Sequence, residues 1–521
     1  MISDNTPKEL RNIHNNVHFK PSKIWRVDNL PSDGSLIPKS ARRKEGQNSI
    51  IEVLKKAELA GVKEVRALGG SWSLSEVANT RGWLLQTAGL TYVDEELSAV
   101  HPRSPFHPAD LTWVQSGTRI AQIHLQLGKV GRSLLTCGAS NGQTLAGATA
   151  TGTHGAAFKV GALHDTIRAM HIVVSSTRSV WIEAKSAPVV PDESIRRVCG
   201  PQVEIIRDNS VLRAAQVSFG SFGVVESMIL STEKLFLLSV HRKELHYNAA
   251  LKKKIHDLSF NEEPGSELYH LEVTFDPEEM GTNKPLIPWV TTMYKSPAPA
   301  NYDYENPDNP KNVMITDPAA ISWGGMAAHV LPEIMLAQAK KVLARRFVTL
   351  QPKKDPLLKP IPLGVVFTDV IMDNLGASTE IGVAAKDFEI AVAVIRAELI
   401  RSAQRGRPFL GPVSLRFVKG SDATLAFTRF KPVTCCIELP GGRFSWVPRL
   451  YQQIFDALEA AKIKYTLHWG QEGEFRQKSI RRAYGQARID SWMKARRRVL
   501  NTPELRERFA NDLLEDCGLD V

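Results

Sequence analysis

Three glycine-rich segments within the first 230 residues constrain the fold of this chain more than any other feature of its sequence. They read LGGSWSLS (68–75), CGASNGQTLAGATATGTHG (137–155) and SFGSFGVVES (218–227). Because small residues let backbone N–H groups turn inward, such bends hold phosphate oxygens without the help of a lysine. Each bend by itself favours a tight turn between strands. All three in this order predict a cradle for an extended, anionic, dinucleotide-like ligand.

The chain has 521 residues, of which 43% are apolar and 23% charged, so it exceeds one ordinary domain and is not disordered throughout. No apolar stretch is long enough to cross a bilayer, and residues 1–16 lack the apolar core of a secretory signal. The five cysteines are scattered without a CxxC pair, which supports neither a disulfide framework nor a zinc cluster. We therefore expect a cytoplasmic protein without a transmembrane segment or a metal site.

The net charge of +11 is compatible with nucleic acid, an anionic membrane surface or an anionic cofactor as a partner. The excess is concentrated in residues 481–500, RRAYGQARIDSWMKARRRVL. This spacing favours a helix with a solvated basic face and with Trp492, Met493 and Leu500 turned inward. Since no aromatic residues are interleaved with the basic ones as a stacking platform, we expect no nucleic-acid partner. Peripheral contact with a membrane stays open.

Apolar periodicity predicts a mixture of helices and strands whose texture changes near residue 236. Helical spacing covers residues 49–60, 119–128, 386–404 and 449–462. Strand patterns cover residues 63–68, 83–90 and 112–117, a hairpin over 167–184, and the segments LEVTFDP, LGVVFTDVIM and TCCIELP. The glycine-rich residues 138–161 are predicted to be mostly loop.

No standard catalytic motif accounts for the chemistry of this chain. The first predicted strand is not followed by G-x-G-x-x-G, so a Rossmann-type dinucleotide site has no support. H-E-x-x-H does not occur, and GSLIPKS (34–40) has proline where a phosphate loop has glycine. GASNG (138–142) matches G-x-S-x-G, but it lies in a segment predicted to be mostly loop and not at the strand-to-helix turn that a nucleophilic serine requires. Metal-dependent hydrolysis and triad hydrolysis are therefore not indicated.

At five segments the sequence resembles the FAD-linked oxidases of the vanillyl-alcohol oxidase type, which carry a PCMH-type FAD-binding domain. It is most similar to the sugar-lactone (gulonolactone and arabinonolactone) and alditol oxidases. VRALGGSWS resembles the first diphosphate loop, and TGTHG (151–155) and AAQVSFGSFGVVES (214–227) resemble the next two FAD segments. LHWGQ (467–471) is similar to the family's HWGK, and WMKARRRVLNTPELRERFANDLL to its closing helix and tail. The similarity covers most of residues 20–236 and returns at the C terminus.

The resemblance implies an α+β, two-domain fold. A lead-in over residues 1–20 would precede an FAD-binding PCMH-type domain over 21–236. Residues 237–440 would form an α+β substrate (cap) domain, and 441–521 would return to the FAD domain. The residues expected to bind FAD are Gly69, Gly70, Ser71, Trp72, Ser73, Gly138, Ala139, Ser140, Asn141, Gly142, Thr144, Gly147, Ala148, Thr151, Gly152, Thr153, His154, Gly155, Gly220, Gly223, Val224 and Val225.

The first departure from the family pattern concerns attachment of the flavin. Many members carry histidine in the first loop, where it bonds covalently to the flavin. The matching position here is Trp72, and indole has no comparable nucleophilic nitrogen. We therefore predict non-covalent FAD, with Trp72 packed in the core or against the ring.

The second departure concerns a Glu-x-Arg pair that related oxidases place on a strand facing the flavin. Here the pair reads Ser414-Leu415-Arg416, so the carboxylate is expected to be missing. Residues two apart on a strand share one face. Arg416 is either a permanent cation that stabilises a substrate oxygen or reduced flavin, or a surface strand charge.

The third departure is Gln471, which stands in place of the lysine of HWGK and offers only a neutral donor. A cation there favours the negative charge that builds on the flavin during reduction. His468 is retained, either as a group that accepts or relays a proton or as a structural histidine. His154 either contacts flavin or bonds the backbone of its loop.

These residues predict an FAD-dependent oxidoreductase that takes hydride from the CH–OH group of a small-molecule alcohol. Oxygen or another carrier would accept the electrons. The catalytic candidates are Arg416, His468, Ser414 and Gln471. The missing carboxylate and lysine favour a bulkier or less polar alcohol over a simple sugar lactone or alditol. They also motivate an alternative, a flavin-binding protein of low or no turnover with a structural or interaction role.

Overall fold

The computed structural model describes residues 3–4, 9–31, 35, 37–95, 97–305, 358–367 and 376–520. Within these ranges it forms three larger β-sheets, a two-stranded sheet of β2 (Leu10–Arg11) with β3 (His18–Phe19), and helices around them. The helices are α1 (Lys39–Leu59), α2 (Ile120–Lys129), α3 (Leu145–Thr151), α4 (Asp192–Cys199), α5 (Asn209–Ala215), α6 (Ala249–His256), α7 (Pro277–Met280), α8 (Leu363–Val366), α9 (Phe388–Gln404), α10 (Val447–Ala460), α11 (Gln477–Tyr484), α12 (Gln486–Val499), α13 (Pro503–Arg508) and α14 (Asp512–Cys517).

The first sheet has four strands in the order β1-β4-β6-β5. Its strands are β1 (Ser3–Asp4), β4 (Lys23–Asp28), β5 (Val65–Leu68) and β6 (Trp83–Gly89). Helix α1 connects β4 to β5 and buries Ile50, Val53, Leu54 and Ala57 completely. The last three of these residues follow Ile50 by three, four and seven positions. This is the amphipathic spacing that predicted a helix. The first glycine-rich bend follows β5 directly.

The second sheet has seven strands in the order β12-β11-β10-β13-β8-β7, with β9 paired to β13. Its strands are β7 (Val93–Asp94), β8 (Leu111–Gln115), β9 (Arg132–Leu134), β10 (Ile167–Val173), β11 (Ser179–Glu183), β12 (Glu204–Arg207) and β13 (Val224–Lys234). The predicted hairpin is confirmed, because β10 and β11 pair antiparallel with Ala169 opposite Glu183. The third glycine-rich bend leads directly into β13.

The third sheet has eight strands in the order β17-β14-β16-β15-β19-β20-β18-β21. Its strands are β14 (Phe236–Glu244), β15 (Glu267–Phe275), β16 (Trp289–Pro297), β17 (Leu358–Pro362), β18 (Gly376–Ala384), β19 (Val413–Lys419), β20 (Val433–Gly442) and β21 (Tyr465–Leu467). On its helix side, the ring of Phe417 in β19 lies 6.0 Å from that of Phe388 in α9. Arg416 precedes Phe417 and therefore points to the opposite face.

Three sequence-based assignments differ from the structure. Residues 145–151 of the predicted loop form α3, because tertiary packing that buries Leu145 and Ala148 outweighs the weak helix propensity of glycine and threonine. LGVVFTDVIM begins with the short helix α8 instead of a strand, and its residues 368–372 lie outside the described ranges. The basic stretch 481–500 is two helices, because Gly485 takes a φ of +77° between α11 and α12.

The C-terminal helices pack against the first half of the chain. Trp492 and Leu500 are fully buried as predicted, and the Trp492 indole donates to the Val217 carbonyl over 3.2 Å. Arg496 is buried as well, which the prediction of a solvated basic face did not anticipate. Among the described residues, none of the helices combines the length and apolar character needed to cross a membrane.

The predicted domain boundaries at residues 236 and 440 stay predictions. The first two sheets contain strands from residues 3–89 and 93–234, and the third sheet begins at Phe236. Strand β21 extends that sheet to Leu467, beyond the predicted second boundary.

Arg496 provides a direct test of how the C-terminal helices are held. Its guanidinium donates to the carbonyls of Ser221, Arg506 and Asp520 over 3.0, 2.6 and 2.6 Å. We expect Arg496→Met to lower the free energy of unfolding by about 3 kcal/mol, since buried carbonyl groups lose their donor. Urea denaturation followed by circular dichroism measures this change.

Arg498→Met is the matched control, because the Arg498 side chain is 56% exposed and pairs with Glu204. It should change the free energy of unfolding by less than about 0.5 kcal/mol. Equal losses in the two variants would contradict the assigned role of Arg496.

Candidate functional site

One cavity joins the three glycine-rich bends to the polar face of the eight-stranded sheet. Its lining from the bends contains most of the residues predicted to bind FAD. These are Gly69, Gly70, Ser71, Trp72, Ser73, Gly138, Ala139, Ser140, Thr144, Gly147, Ala148, Thr151, Thr153, His154, Gly220, Gly223 and Val225. Arg416, His468 and Gln471 line the same cavity. The binding of FAD by these residues stays a prediction.

The first two bends approach each other so closely that side chains are excluded. A Cβ atom on Gly69 would overlap the hydroxyl of Thr144, and one on Gly70 would lie 2.9 Å from the Trp72 ring. A Cβ atom on Gly138 would lie 2.6 Å from Thr153. Glycine is therefore required where the chain lines the cavity with backbone.

Buried hydroxyl groups around the cavity lack hydrogen-bond partners among the described residues. They belong to Ser71, Ser116, Ser140 and Thr144, all of which line the cavity. A buried donor left unpaired costs about 1–3 kcal/mol. A ligand with several acceptor oxygens, such as a diphosphate, would complete these groups, so the donor set fits FAD.

Arg66 anchors the third bend from the wall of the cavity. This side chain in β5 donates to the carbonyls of Val77, Phe219 and Gly220 and, over 3.3 Å, to that of Phe509. Burial lowers its pKa to about 10. The arginine stays charged at neutral pH. Its hydrogen bonds to the carbonyls of Phe219 and Gly220 fix the backbone of the third bend.

Six predicted site residues do not line the cavity: Asn141, Gly142, Gly152, Gly155, Val224 and Ser414. The Asn141 amide turns away and donates to the carbonyls of Gly364 and Phe367. Gly152 ends α3 with a φ of +92°. Ser414 is fully buried, and its Oγ lies 3.2 Å from Oγ1 of Thr274.

The cavity face of the sheet carries a cluster of charged side chains from four neighbouring strands. Strand register places Glu272 opposite Arg416, Glu438 opposite Ser414, and Glu380 opposite Glu438. Directly paired residues point to the same side of a sheet, so these side chains converge. Arg416 Nε donates to Glu272 over 3.0 Å, and Arg416 Nη1 donates to Glu438. Glu380 lies 3.8 Å from Arg416 Nη1.

This cluster corrects one sequence-based expectation and decides between the two interpretations of Arg416. The carboxylate that Ser414 fails to provide is not missing, because neighbouring strands supply Glu272, Glu380 and Glu438. Arg416 is not a surface charge, since only 6% of its area is exposed. The carboxylates were missed because local alternation identifies the face of a strand but not the residues opposite it on other strands.

Both ring nitrogens of His154 face acceptor oxygens. Nδ1 lies 2.7 Å from the Gly155 carbonyl oxygen, and Nε2 lies 2.9 Å from Oε1 of Glu380. Burial raises the pKa of Glu380, but its hydrogen bond with His154 and the positive charge of Arg416 outweigh burial and hold that pKa below its usual range. His154 therefore bonds the backbone and also anchors a carboxylate.

His468 is held in its neutral form. Burial lowers its pKa to about 4, although nearby Glu380 opposes the shift. Its Nδ1 accepts from the Gly470 N–H over 3.0 Å, which leaves the proton of the neutral ring on Nε2. In this state His468 donates a hydrogen bond and does not take up a proton at Nε2.

Two further predicted residues, Gln471 and Trp72, lie in the cavity wall. Gln471 donates through Nε2 to Oε1 of Glu438 over 3.3 Å. The Trp72 ring contacts His14 edge-on, with ring centroids 6.2 Å apart. Both side chains thus combine contacts inside the protein with a place in the cavity wall.

A potential metal-binding triad lies beside the cluster. The donor atoms of His154, Glu380 and Cys436 lie within 4.8 Å of one another. Burial raises the pKa of the Cys436 thiol well above its usual value, so the thiol is protonated and a poor ligand at neutral pH. The expected absence of a metal stays a prediction.

Sequence reasoning missed several residues of the cavity and of the charged cluster that borders it. They are His14, Arg66, Ser116, Glu272, Ser378, Glu380 and Glu438. The carboxylates left one signal, since Glu272 and Glu438 interrupt otherwise apolar strand segments, LEVTF and CCIEL. Arg66 similarly interrupts the otherwise apolar strand segment VRAL.

The sequence matches known proteins over part of its length. Residues 43–182 match a family model described as an FAD binding domain. Over 221 residues the chain is 26% identical to the L-gulono-1,4-lactone dehydrogenase of Mycobacterium tuberculosis, covering 42% of this chain and 43% of that protein. Over 206 residues it is 24% identical to the D-arabinono-1,4-lactone oxidase of Candida glabrata, covering 40% and 34%. These alignments span less than half the length of either relative.

Solved structures match over nearly the whole chain. The cholesterol oxidase from Brevibacterium sterolicum superposes with a TM-score of 0.70 at 11% identity, covering 99% of this chain and 97% of that chain. A solvent-stable cholesterol oxidase superposes with a TM-score of 0.67 at 12% identity, covering 99% and 98%. At such identities the likeness concerns the fold, and it confirms the predicted α+β FAD-binding fold.

The pKa of His468 predicts how stability depends on pH. Its pKa of about 4 in the folded protein lies below the ordinary value of 6.5, so between these values the unfolded chain binds more protons. The free energy of unfolding should therefore fall as the pH drops from 6.5 to 4, by at most about 1.4 kcal/mol per pH unit from this residue. His468→Gln should show a shallower loss in urea denaturation across this range.

His256→Gln is the control, because the His256 side chain is 58% exposed. It should keep the wild-type pH dependence. An unchanged pH dependence in His468→Gln would show that His468 is not held neutral.

Proposed function

Since this chain belongs to the superfamily of FAD-linked oxidases with a PCMH-type FAD-binding domain, we propose that it is an FAD-dependent oxidoreductase acting on the CH–OH group of a small-molecule alcohol. One observation carries the proposal: the cavity lined by the glycine-rich bends also contains the Arg416 cluster. A cofactor cradle and a charged reaction face thus open into one space. The named activities of the lactone and sterol oxidases belong to those proteins, and they guide the choice of test substrates.

Bound FAD would supply the hydride acceptor, and the residues of the chain would position the alcohol. The Arg416 guanidinium is a fixed donor held by Glu272 and Glu438, so it needs no reorganisation to stabilise charge that develops on the substrate oxygen. His468 adds a neutral N–H donor. The hydroxyl proton would pass to a carboxylate of the cluster or to water, because His468 Nε2 already carries its proton.

Trp72 supports a non-covalent flavin. It lines the cavity at the position matching the covalent histidine of related oxidases, and indole forms no such bond. The proposed partners are a small-molecule substrate and an electron acceptor, which is oxygen or another carrier. The proposed location is cytoplasmic.

The attachment of the flavin is tested by acid precipitation of the purified yellow protein. Because Trp72 offers no linking nitrogen, we expect the flavin absorbance in the supernatant and a colourless pellet. Fluorescence of the supernatant, with and without phosphodiesterase, identifies FAD. A pellet that keeps the yellow colour would contradict non-covalent binding.

A flavin-binding protein with little turnover is the second candidate. Gln471 favours it, because a neutral amide replaces the lysine of related oxidases and gives less support to negative charge on reduced flavin. The absence of a carboxylate at Ser414 no longer supports this second candidate, since the neighbouring strands supply three carboxylates.

Anaerobic mixing with L-gulono-1,4-lactone, xylitol, cholesterol and 1-hexanol separates the two candidates. For an enzyme, at least one alcohol bleaches the oxidised-flavin absorbance. Arg416→Met should slow that bleaching by about 100-fold or more, because the fixed donor is lost. Arg449→Met, on the exposed side of α10, should leave the rate unchanged. If no alcohol bleaches the absorbance of protein that retains its flavin, the low-turnover candidate is favoured.

A further inference from the structure

We propose that Glu438 orients the substrate alcohol, and that it performs from β20 the role for which related oxidases use a glutamate at the position of Ser414. This inference rests on the proposed function and names a specificity-determining residue of the same site. It explains how a chain without the Glu-x-Arg pair keeps a carboxylate beside its arginine.

Strand register makes this exchange of positions geometrically simple. Ser414 and Glu438 are direct partners in the β19–β20 pairing. Directly opposed side chains share one face, with Cβ atoms about 5 Å apart. A glutamate on either strand therefore reaches the same region of the sheet face. Ser414 is fully buried and small, and it leaves the space above it to Glu438.

Of the three carboxylates around Arg416, only Glu438 combines contact with the cavity and contact with the arginine through a hydrogen bond. Glu272 holds Arg416 Nε but does not line the cavity. Glu380 lines the cavity, but it lies 3.8 Å from Arg416 Nη1, beyond hydrogen-bond distance. Glu438 lines the cavity and accepts from Arg416 Nη1.

The neighbours of Glu438 keep it ionised and fixed. Ser378 Oγ and Gln471 Nε2 both donate to its Oε1, over 3.2 and 3.3 Å, while Arg416 donates to Oε2. Hydrogen bonds from several donors favour the charged carboxylate and hold it in one orientation. Glu438 is thus an acceptor beside a fixed donor, an arrangement that binds two neighbouring hydroxyl groups of a substrate.

Gln471 belongs to the same arrangement. A lysine at this position would form an ion pair with Glu438 and draw its charge away from the cavity. The neutral glutamine amide donates one hydrogen bond to Glu438 and leaves the negative charge in place. The departures at positions 414 and 471 are therefore coupled, and we expect a substrate with several hydroxyls instead of the less polar alcohol that the sequence favoured.

The test compares wild type with three variants, each loaded with FAD. Glu438→Gln removes the charge and keeps the shape. The double variant Ser414→Glu/Glu438→Ser moves the carboxylate to the opposite strand. Glu398→Gln is the matched control, since Glu398 and Glu438 have side chains that are both 10% exposed and paired with an arginine, but Glu398 lies on α9 and does not line the cavity.

Two quantities are measured: kcat/KM for the oxidation of L-gulono-1,4-lactone and of xylitol with an artificial dye as electron acceptor, and the Kd of sulfite, an anion that adds to flavin. Glu438→Gln should lower kcat/KM by about 30-fold, chiefly through KM, because a charged hydrogen bond to substrate is lost. It should also tighten sulfite binding by roughly tenfold, since a negative charge in the cavity is removed. The double variant should recover kcat/KM to within about fivefold of wild type, and Glu398→Gln should match wild type in both measurements.

The inference is overturned if wild type is reduced by a polyol while Glu438→Gln stays within twofold of it in both measurements. It is also overturned if the folded, flavin-loaded double variant recovers no activity. A wild-type protein that no alcohol reduces would instead refute the proposed function, and the inference with it. The two failures are therefore distinguished by the behaviour of wild type.

Discussion

A buried guanidinium with main-chain carbonyl partners organises the half of the protein that carries the glycine-rich bends. Arg66 donates to carbonyls of the segment after the first bend, of the third bend and of the C-terminal region. Arg496 in α12 also donates to main-chain carbonyls. Burial and the nearby positive charge of Arg66 lower the pKa of Arg496 to about 10. Bends with few side chains have little to hold them in shape. These carbonyl contacts hold the third bend in one conformation.

The second half contributes chemistry through strand register. Phe417 packs towards α9, and the alternation of the strand therefore directs Arg416 towards the cavity. Register then places a carboxylate opposite or diagonal to Arg416 on both adjacent strands. Because these charges are removed from water, each depends on its partners, as the contacts among His154, Glu380 and Arg416 show. The result is a cluster of charged side chains on the cavity face of the sheet.

Local patterns were sufficient to predict much of the fold. The periodicity of Ile50, Val53, Leu54 and Ala57 identified α1, and the pattern of buried strands identified the β10–β11 hairpin. The glycine-rich bends were visible because their signal is contained in short segments. Helix α3 was missed, since glycine and threonine are weak helix formers and only its packing stabilises it.

The charged cluster shows what a single sequence cannot supply. Arg416 and Glu272 are 144 residues apart, and Arg66 and Phe509 are 443 residues apart. Such contacts follow from strand order and domain packing, which periodicity within one segment does not encode. The resemblance located Arg416 and the absence of a carboxylate at Ser414, but it could not show that Glu438 stands directly opposite. A side chain that is absent at one position can thus be supplied by the residue opposite it on the paired strand, and the local motif does not show this.

The central claim is that turns with few side chains bind the diphosphate of FAD through main-chain groups. Titration of flavin-free protein with FAD and with FMN, followed by flavin fluorescence, tests it most directly. FMN lacks the diphosphate, so we expect FAD to bind about 100-fold more tightly. Gly69→Ala, whose Cβ would overlap Thr144, should lose most of this preference. Equal affinities of wild type for the two flavins, or an unchanged preference in Gly69→Ala, would contradict the account.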